Sequence, residues 1–268
     1  MYPMIEFESV SRNYGAKVAV SDLNLEIARG ELFALLGHNG AGKTTAIKML
    51  VGLLQPAQGH VRVGGSDLVA QTREATKLIG YVPDQPFLYD KLSGREFLQF
   101  VAEMYGLDAP QAAAHMEREI DRFGLAGFVD DLTESYSHGM KQRTVFAAAL
   151  LHSPQVLVID EPLVGLDPHS IRLVKDLLRR EVERGLCVLM STHTLTVAEE
   201  IADRFGVMYC SRLIFVGTIA ELREQYKTSG QSLEAIYLQV MQDRERIGGV
   251  PRNGVHAPHS AMLQDATR

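Results

Sequence analysis

Cysteine is almost absent: Cys187 and Cys210 are the only two in 268 residues. Both lie in apolar stretches and read as buried thiols of a reducing compartment, which excludes a disulfide framework. Also missing is any apolar run near the ~18 residues that a membrane span requires. The longest, Val145 to Leu151, falls far short. The opening residues, Met1-Tyr2-Pro3-Met4-Ile5-Glu6, show neither the charged nor the apolar region of a signal peptide. No long basic run occurs and the formal charge is −6, so nucleic acid is not expected as the main partner. The chain is expected to be unable to cross a membrane by itself. It is either cytoplasmic or docked on a protein that does cross. No internal repeat is visible.

What is present is ordinary globular material, 46% hydrophobic and 22% charged, enough for a sizeable core. The first ~65 residues alternate strand-like runs with turns: Val18 to Ile27, Leu32 to Leu36, and His60 to Val63. The continuous apolar run Leu32–Leu36 predicts a strand buried on both faces of an α/β sheet. After Gly42, the spacing of Ala46, Ile47, Leu50, Leu53 and Leu54 predicts a helix closed by Pro56. From about 88 to 151 the period changes. Arg95–Tyr105 and Ala112–Phe123 have helical spacing, with Gly106, Pro110 and Gly124 as breaks, so an all-helical insert is expected. Strands return at Val156–Ile159 and Leu186–Met190. Asp167-Pro168 is a helix start between them, and Phe205–Cys210 with Leu213–Val216 reads as a hairpin. Thr218 to Glu221 fits a capping box. From about Gln242 the glycines, prolines and scarce apolar groups predict a disordered tail, in which His256 and His259 lack a third partner for a metal.

The strongest local signal is Gly37-His38-Asn39-Gly40-Ala41-Gly42-Lys43-Thr44, a G-x-x-x-x-G-K-[ST] loop between a buried strand and a helix. A chance match in a chain of this length is about one in a hundred, and the strand–loop–helix context makes chance rarer still. The glycines let backbone N–H groups turn toward phosphate oxygens, and the helix N-terminus adds partial positive charge. Lys43 suits the β/γ-phosphates and the Thr44 hydroxyl suits Mg²⁺. A magnesium nucleotide needs an acidic anchor as well. Val156–Ile159 ends in Asp160 and Glu161, whose side chains leave the strand on opposite sides, so one can hold metal while the other polarises water. By itself such a pair is a solvated loop start; beside the phosphate loop the functional reading prevails.

Tyr136-Ser137-His138-Gly139-Met140-Lys141-Gln142-Arg143 then opens a helix. These residues resemble the signature of ATP-binding cassette (ABC) ATPases, with Tyr-Ser-His-Gly-Met where Leu-Ser-Gly-Gly-Gln is usual. The resemblance spans residues 4 to about 240 in matching motif order. It implies a P-loop NTPase (RecA-like) core with a small antiparallel β subdomain and an inserted helical subdomain. The cassette would cover 1–240, the insert about 88–151 and the tail 241–268. It further implies that Tyr14 stacks on adenine and that Gly37 to Thr45 hold the phosphates. Asp160 and Glu161 would be the metal-anchoring and catalytic acids, and His193 the switch histidine near the γ-phosphate. Leu166-Asp167 would touch the partner's site, and Ser137 with Gly139 would contact ATP bound to a second subunit. Where the family carries glutamine, this chain has Asp84 followed by Gln85. Three readings stay open: Asp84 takes the metal contact, Gln85 reaches in from a shifted register, or neither touches metal at rest.

The function so implied is the ATP-hydrolysing subunit of a transporter. Its cofactors are ATP and Mg²⁺, and its partners are a separate membrane-spanning permease and a second cassette, identical or not. The chain would sit at the cytoplasmic face of a membrane, with Phe87, Leu88 and Tyr89 in the docking groove. Ser-His-Gly-Met-Lys-Gln-Arg with Gly-Leu-Asp-Pro is most similar to the export-associated branch. The alternative is a soluble mechanical ATPase, disfavoured by the lack of a second cassette or a long coiled coil. A small-molecule kinase is disfavoured by the signature and His193.

Overall fold

The computed structural model describes residues 3–161, 168–226 and 231–248. Its centre is a six-stranded sheet in the order β10-β9-β3-β8-β7-β6. These strands are β3 (Leu32–Leu36), β6 (Ile79–Val82), β7 (Val156–Asp160), β8 (Cys187–Thr192), β9 (Arg204–Tyr209) and β10 (Arg212–Gly217). All pair in parallel except β10, which closes the expected hairpin on β9. Apolar residues fill the central strands because both faces are covered. Along β3, Leu32, Ala34 and Leu36 face one core while Phe33 and Leu35 face the other. Strands β7 and β8 divide in the same two-residue period. Each such fully buried leucine or valine contributes about 1.5–3 kcal/mol of apolar transfer.

A second, wholly antiparallel sheet has the order β2-β1-β4-β5, with β1 (Ile5–Tyr14), β2 (Lys17–Ile27), β4 (Gln58–Val63) and β5 (Ser66–Asp67). It shares its core with α1 (Lys43–Leu50) and one face of the main sheet. The short α2 (Thr72–Lys77) precedes β6. Between β6 and β7 the chain is helical: α3 (Gly94–Met104), α4 (Ala109–Arg122) and α5 (His138–Leu150), with a single 3₁₀ turn at Thr133–Ser135. Capping boxes start α3 (Ser93 with Glu96) and α4 (Asp108 with Gln111), satisfying donors that the helix leaves open. Helices α6 (Pro168–Glu183), α7 (Leu195–Ile201), α8 (Ile219–Gln225) and α9 (Leu233–Gly248) complete the order. Thr218 and Glu221 form the expected capping box of α8.

Several expectations are corrected. Helix α1 stops at Leu50, and Leu53 is 66% exposed rather than part of the buried stripe. Gly52, at φ 76°, turns the chain there, well before Pro56. Pro110 starts α4 instead of breaking it, since the first turn needs no backbone N–H. Cys187 is buried but Cys210 is exposed, at the hairpin turn between β9 and β10. Leu88 is buried and cannot line a surface groove, whereas Phe87 and Tyr89 are exposed. Helix α9 runs through Gly248, so residues 242–248 are helical where a tail was expected. His256, His259, Leu166 and Asp167 lie outside the described residues.

Candidate functional site

The phosphate loop leaves β3 at Gly37 and enters α1 at Lys43. Gly42 caps α1 in a left-handed conformation, φ 113°, and a Cβ there would stand 2.4 Å from the Ala19 carbonyl oxygen. Only glycine fits both conditions. The Ala41 N–H bonds to the His38 carbonyl at 3.1 Å, tightening the loop. Lys43 is buried, its ammonium donating to the Gly37 carbonyl at 2.6 Å. A buried ammonium demands partners, and it also reaches the His38 carbonyl at 3.4 Å and Glu161 Oε1 at 3.6 Å.

The two acids arrive together at the end of β7, two strands from β3. Asp160 ends β7 fully buried, and Ser191 of β8 donates to its Oδ1. Its Oδ2 is buried with no protein partner. Burial pushes the Asp160 carboxyl above its ordinary range, opposed by the Ser191 and Thr44 hydroxyls and reinforced by the charges of Asp84 and Glu161. Burial together with Asp160 and Asp84 raises the Tyr81 phenol to about 12, so both carboxylates bear on one small region. Glu161 follows in the left-handed region, φ 51°, unusual for a residue with a side chain. Its Oε2 accepts from His193 Nδ1 at 2.7 Å and from the His193 backbone N–H at 3.3 Å. Lys43, Glu161 and His193 therefore form one contiguous chain of polar contacts.

A cleft of about 380 Å³ opens over this chain. Its walls are Tyr14, Lys17, Ala19, His38, Asn39, Gly40, Gly42, Lys43, Thr44, Thr45, Asp84 and Glu161. Tyr14 is 48% exposed at the cleft edge, beside the guanidinium of Arg12. Asp84 lines the cleft and Gln85 does not. Ser137 and Gly139 do not line it either. Ser137 caps α5, accepting the Met140 N–H at 3.3 Å, and the space around Gly139 is open. His193 does not line the cleft; it touches Glu161 and its side chain is 55% exposed. Sequence reasoning missed Lys17 and Ser191. Lys17 pairs with Tyr14 across the β1–β2 turn, and a basic residue two beyond Gly15 was its one signal.

Among the described residues no cluster of three or more His, Cys, Asp or Glu is suited to hold a metal ion alone. The donor set is instead that of a hard cation completed by phosphate: an unpartnered buried carboxylate oxygen on Asp160, with the Thr44 hydroxyl beside it. The residues fit Mg²⁺.

A buried parallel strand, a glycine loop cradling a lysine, and an acid at the tip of the next-but-one strand define a P-loop nucleoside triphosphatase. Residues 20–164 match the ABC transporter family. The chain is 36% identical over 219 residues to a linearmycin resistance ATP-binding protein of Bacillus subtilis, covering 82% of this chain and 70% of that one. It is 35% identical over 262 residues to a daunorubicin resistance ATP-binding protein of Streptomyces coeruleorubidus, covering 98% and 82%. The solved ATP-binding subunit of an ABC transporter superposes with a TM-score of 0.84 at 32% identity, covering 89% of this chain and 99% of that one. A dimeric ABC transporter cassette shares the fold, with a TM-score of 0.75 at 23% identity over 81% and 99%. The chain belongs to the ABC transporter family. It is an ATP-binding subunit, an ATPase whose hydrolysis is coupled to transport.

Proposed function

We propose that this chain binds Mg·ATP in the cleft over Lys43 and Glu161, and hydrolyses it only when a second cassette supplies Ser137 and Gly139. The observation that carries this reading is a division of parts. The phosphate loop, Asp160, Glu161 and His193 converge in one chain, while Ser137 and Gly139 lie outside the cleft they would need to complete. A serine at a helix N-terminus offers donors suited to a γ-phosphate arriving across an interface.

In this account Tyr14 stacks on adenine, and the N–H groups of Gly37 to Thr45 hold the phosphates. The Lys43 ammonium, now bonded to the Gly37 carbonyl and paired with Glu161, turns to the β/γ-phosphates. That leaves Glu161 Oε1 to take the proton of the attacking water, with His193 fixing the other oxygen. Thr44 and Asp160 hold Mg²⁺, which supplies charge neutralisation on the phosphate oxygens. Asp84, on the cleft wall, is the further metal-side contact in preference to Gln85.

The helical insert, about 88–151, passes the closure to a separate membrane-spanning subunit. Phe87 and Tyr89, in edge contact at 5.5 Å and both exposed, form the docking surface with Phe100. Among the described residues no helix is long and apolar enough to cross a membrane, which fits a chain that works from the cytoplasmic face through such a partner. The resistance proteins among its relatives support transport outward.

Lys43→Ala tests the binding half of this reading. Losing a charge-assisted contact should weaken Mg·ATP binding about tenfold or more by equilibrium titration. Wild-type affinity in that variant would contradict the site.

A further inference from the structure

Ser191 lies opposite Asp160 in the parallel register of β7 and β8 and is fully buried. Its hydroxyl donates to Asp160 Oδ1 at 2.5 Å. The serine Oγ in turn accepts the Glu161 backbone N–H at 3.1 Å, and the Ser191 carbonyl shares that N–H at 3.2 Å. One chain of bonds thus runs from the Glu161 amide through the serine to the Asp160 carboxylate. A hydroxyl that gives one proton and accepts another is polarised at both ends, so each bond strengthens the other.

Two alignments follow. With Oδ1 held, Asp160 can present only Oδ2, the oxygen left without a protein partner. Its approach to a cation is then fixed rather than free to rotate. At the other end, the doubly accepted N–H holds Glu161 in its left-handed turn, φ 51°, which aims the side chain at Lys43 and His193.

We propose that Ser191 is the positioning residue of the site, one hydroxyl orienting both the metal-side acid and the hydrolytic acid. The inference rests on the roles proposed above for Asp160 and Glu161. Ser191 is buried and absent from the cleft wall, so it acts through those two residues. Outer partners of this kind change metal affinity or activity about ten- to a hundredfold when removed.

The test is equilibrium binding of a fluorescent, non-hydrolysable ATP analogue to the full chain, in Mg²⁺ and in EDTA. The ratio of the two affinities measures the Mg²⁺ preference. Ser191→Ala should lower that ratio about tenfold or more while leaving the affinity in EDTA within about twofold. Ser191→Thr, which keeps the hydroxyl, should retain the ratio within about threefold. If the alanine variant does not fold, Ser191→Val against Ser191→Thr repeats the comparison, since both add a methyl-sized group and only one keeps the hydroxyl. An unchanged ratio in both the alanine and the valine variants, or an equal loss in valine and threonine, overturns the proposal. Asp160→Asn separates the two levels of the argument. If it leaves the Mg²⁺ preference intact, the metal role of Asp160 falls; if it abolishes the preference while Ser191→Ala does not, only the role of Ser191 falls.

Discussion

At the scale of single residues the site depends on atoms that have no room to move. A methyl group at Gly42 would meet the Ala19 carbonyl at 2.4 Å and would have to adopt φ 113°. Gly42→Ala should therefore cost about 1–3 kcal/mol of stability and reduce nucleotide binding, read by thermal melts with and without Mg·ATP. A variant as stable as the parent and binding equally well would show that the loop tolerates a Cβ. The loop itself was legible because its eight residues are contiguous and each carries a chemical requirement. Ser191 was not, although it stands beside Thr192 and His193. Its importance arises only when the β7–β8 register sets it against Asp160, 31 positions earlier. Burial of a polar group and its pairing across strands leave no mark in local sequence. The exposure of Cys210 has the same explanation. Its apolar neighbours belong to β9 and β10, but the residue itself sits in the turn between them.

Elements show where periodicity suffices and where it does not. Strands β3, β7 and β8 were readable as apolar runs because the sheet covers both their faces. Strand β1 was missed because register shifts and the left-handed Ser9 break its alternation. The insert is tied to the sheet by Tyr105, at the end of α3, and His152, just beyond α5. Their rings stack at 3.5 Å, and both approach the Ile79 carbonyl of β6. Burial lowers the His152 pKa to about 4, below the ordinary value of 6.5. The unfolded chain then binds the extra proton between those values. Stability should be fully present above about pH 6.5 and fall by up to a few kcal/mol as pH drops toward 4. Denaturant titrations at pH 7 and 4.5 should show this slope, and His152→Gln should flatten it. An identical slope in that variant would assign the effect to other groups. Helix α5 has its own test. Ser137→Ala removes a cap worth about 1 kcal/mol, yet should reduce turnover about tenfold while ATP affinity of the isolated chain stays unchanged. Equal loss of binding and turnover would mean Ser137 acts within its own chain.

For the whole molecule, the two sheets and the helical insert were readable in outline, because the change of period near residue 88 marks a change of layer. The extent of α9 was not, since Leu233, Ile236 and Val240 are buried against the rest of the core and no local signal announces that contact. Ser137 and Gly139 lie outside the molecule's own cleft, and in the function proposed above that makes the molecule half of a site. The account's central claim is that ATP joins two such halves and that Glu161 ends the joining. The most direct measurement is the mass of Glu161→Gln in solution, by analytical ultracentrifugation with Mg·ATP and then without nucleotide. The account predicts turnover reduced about a hundredfold or more, and a stable dimer that forms with Mg·ATP and is lost when Ser137→Ala is added. A variant that stays monomeric with ATP bound, or that hydrolyses ATP at the parent rate, would contradict it.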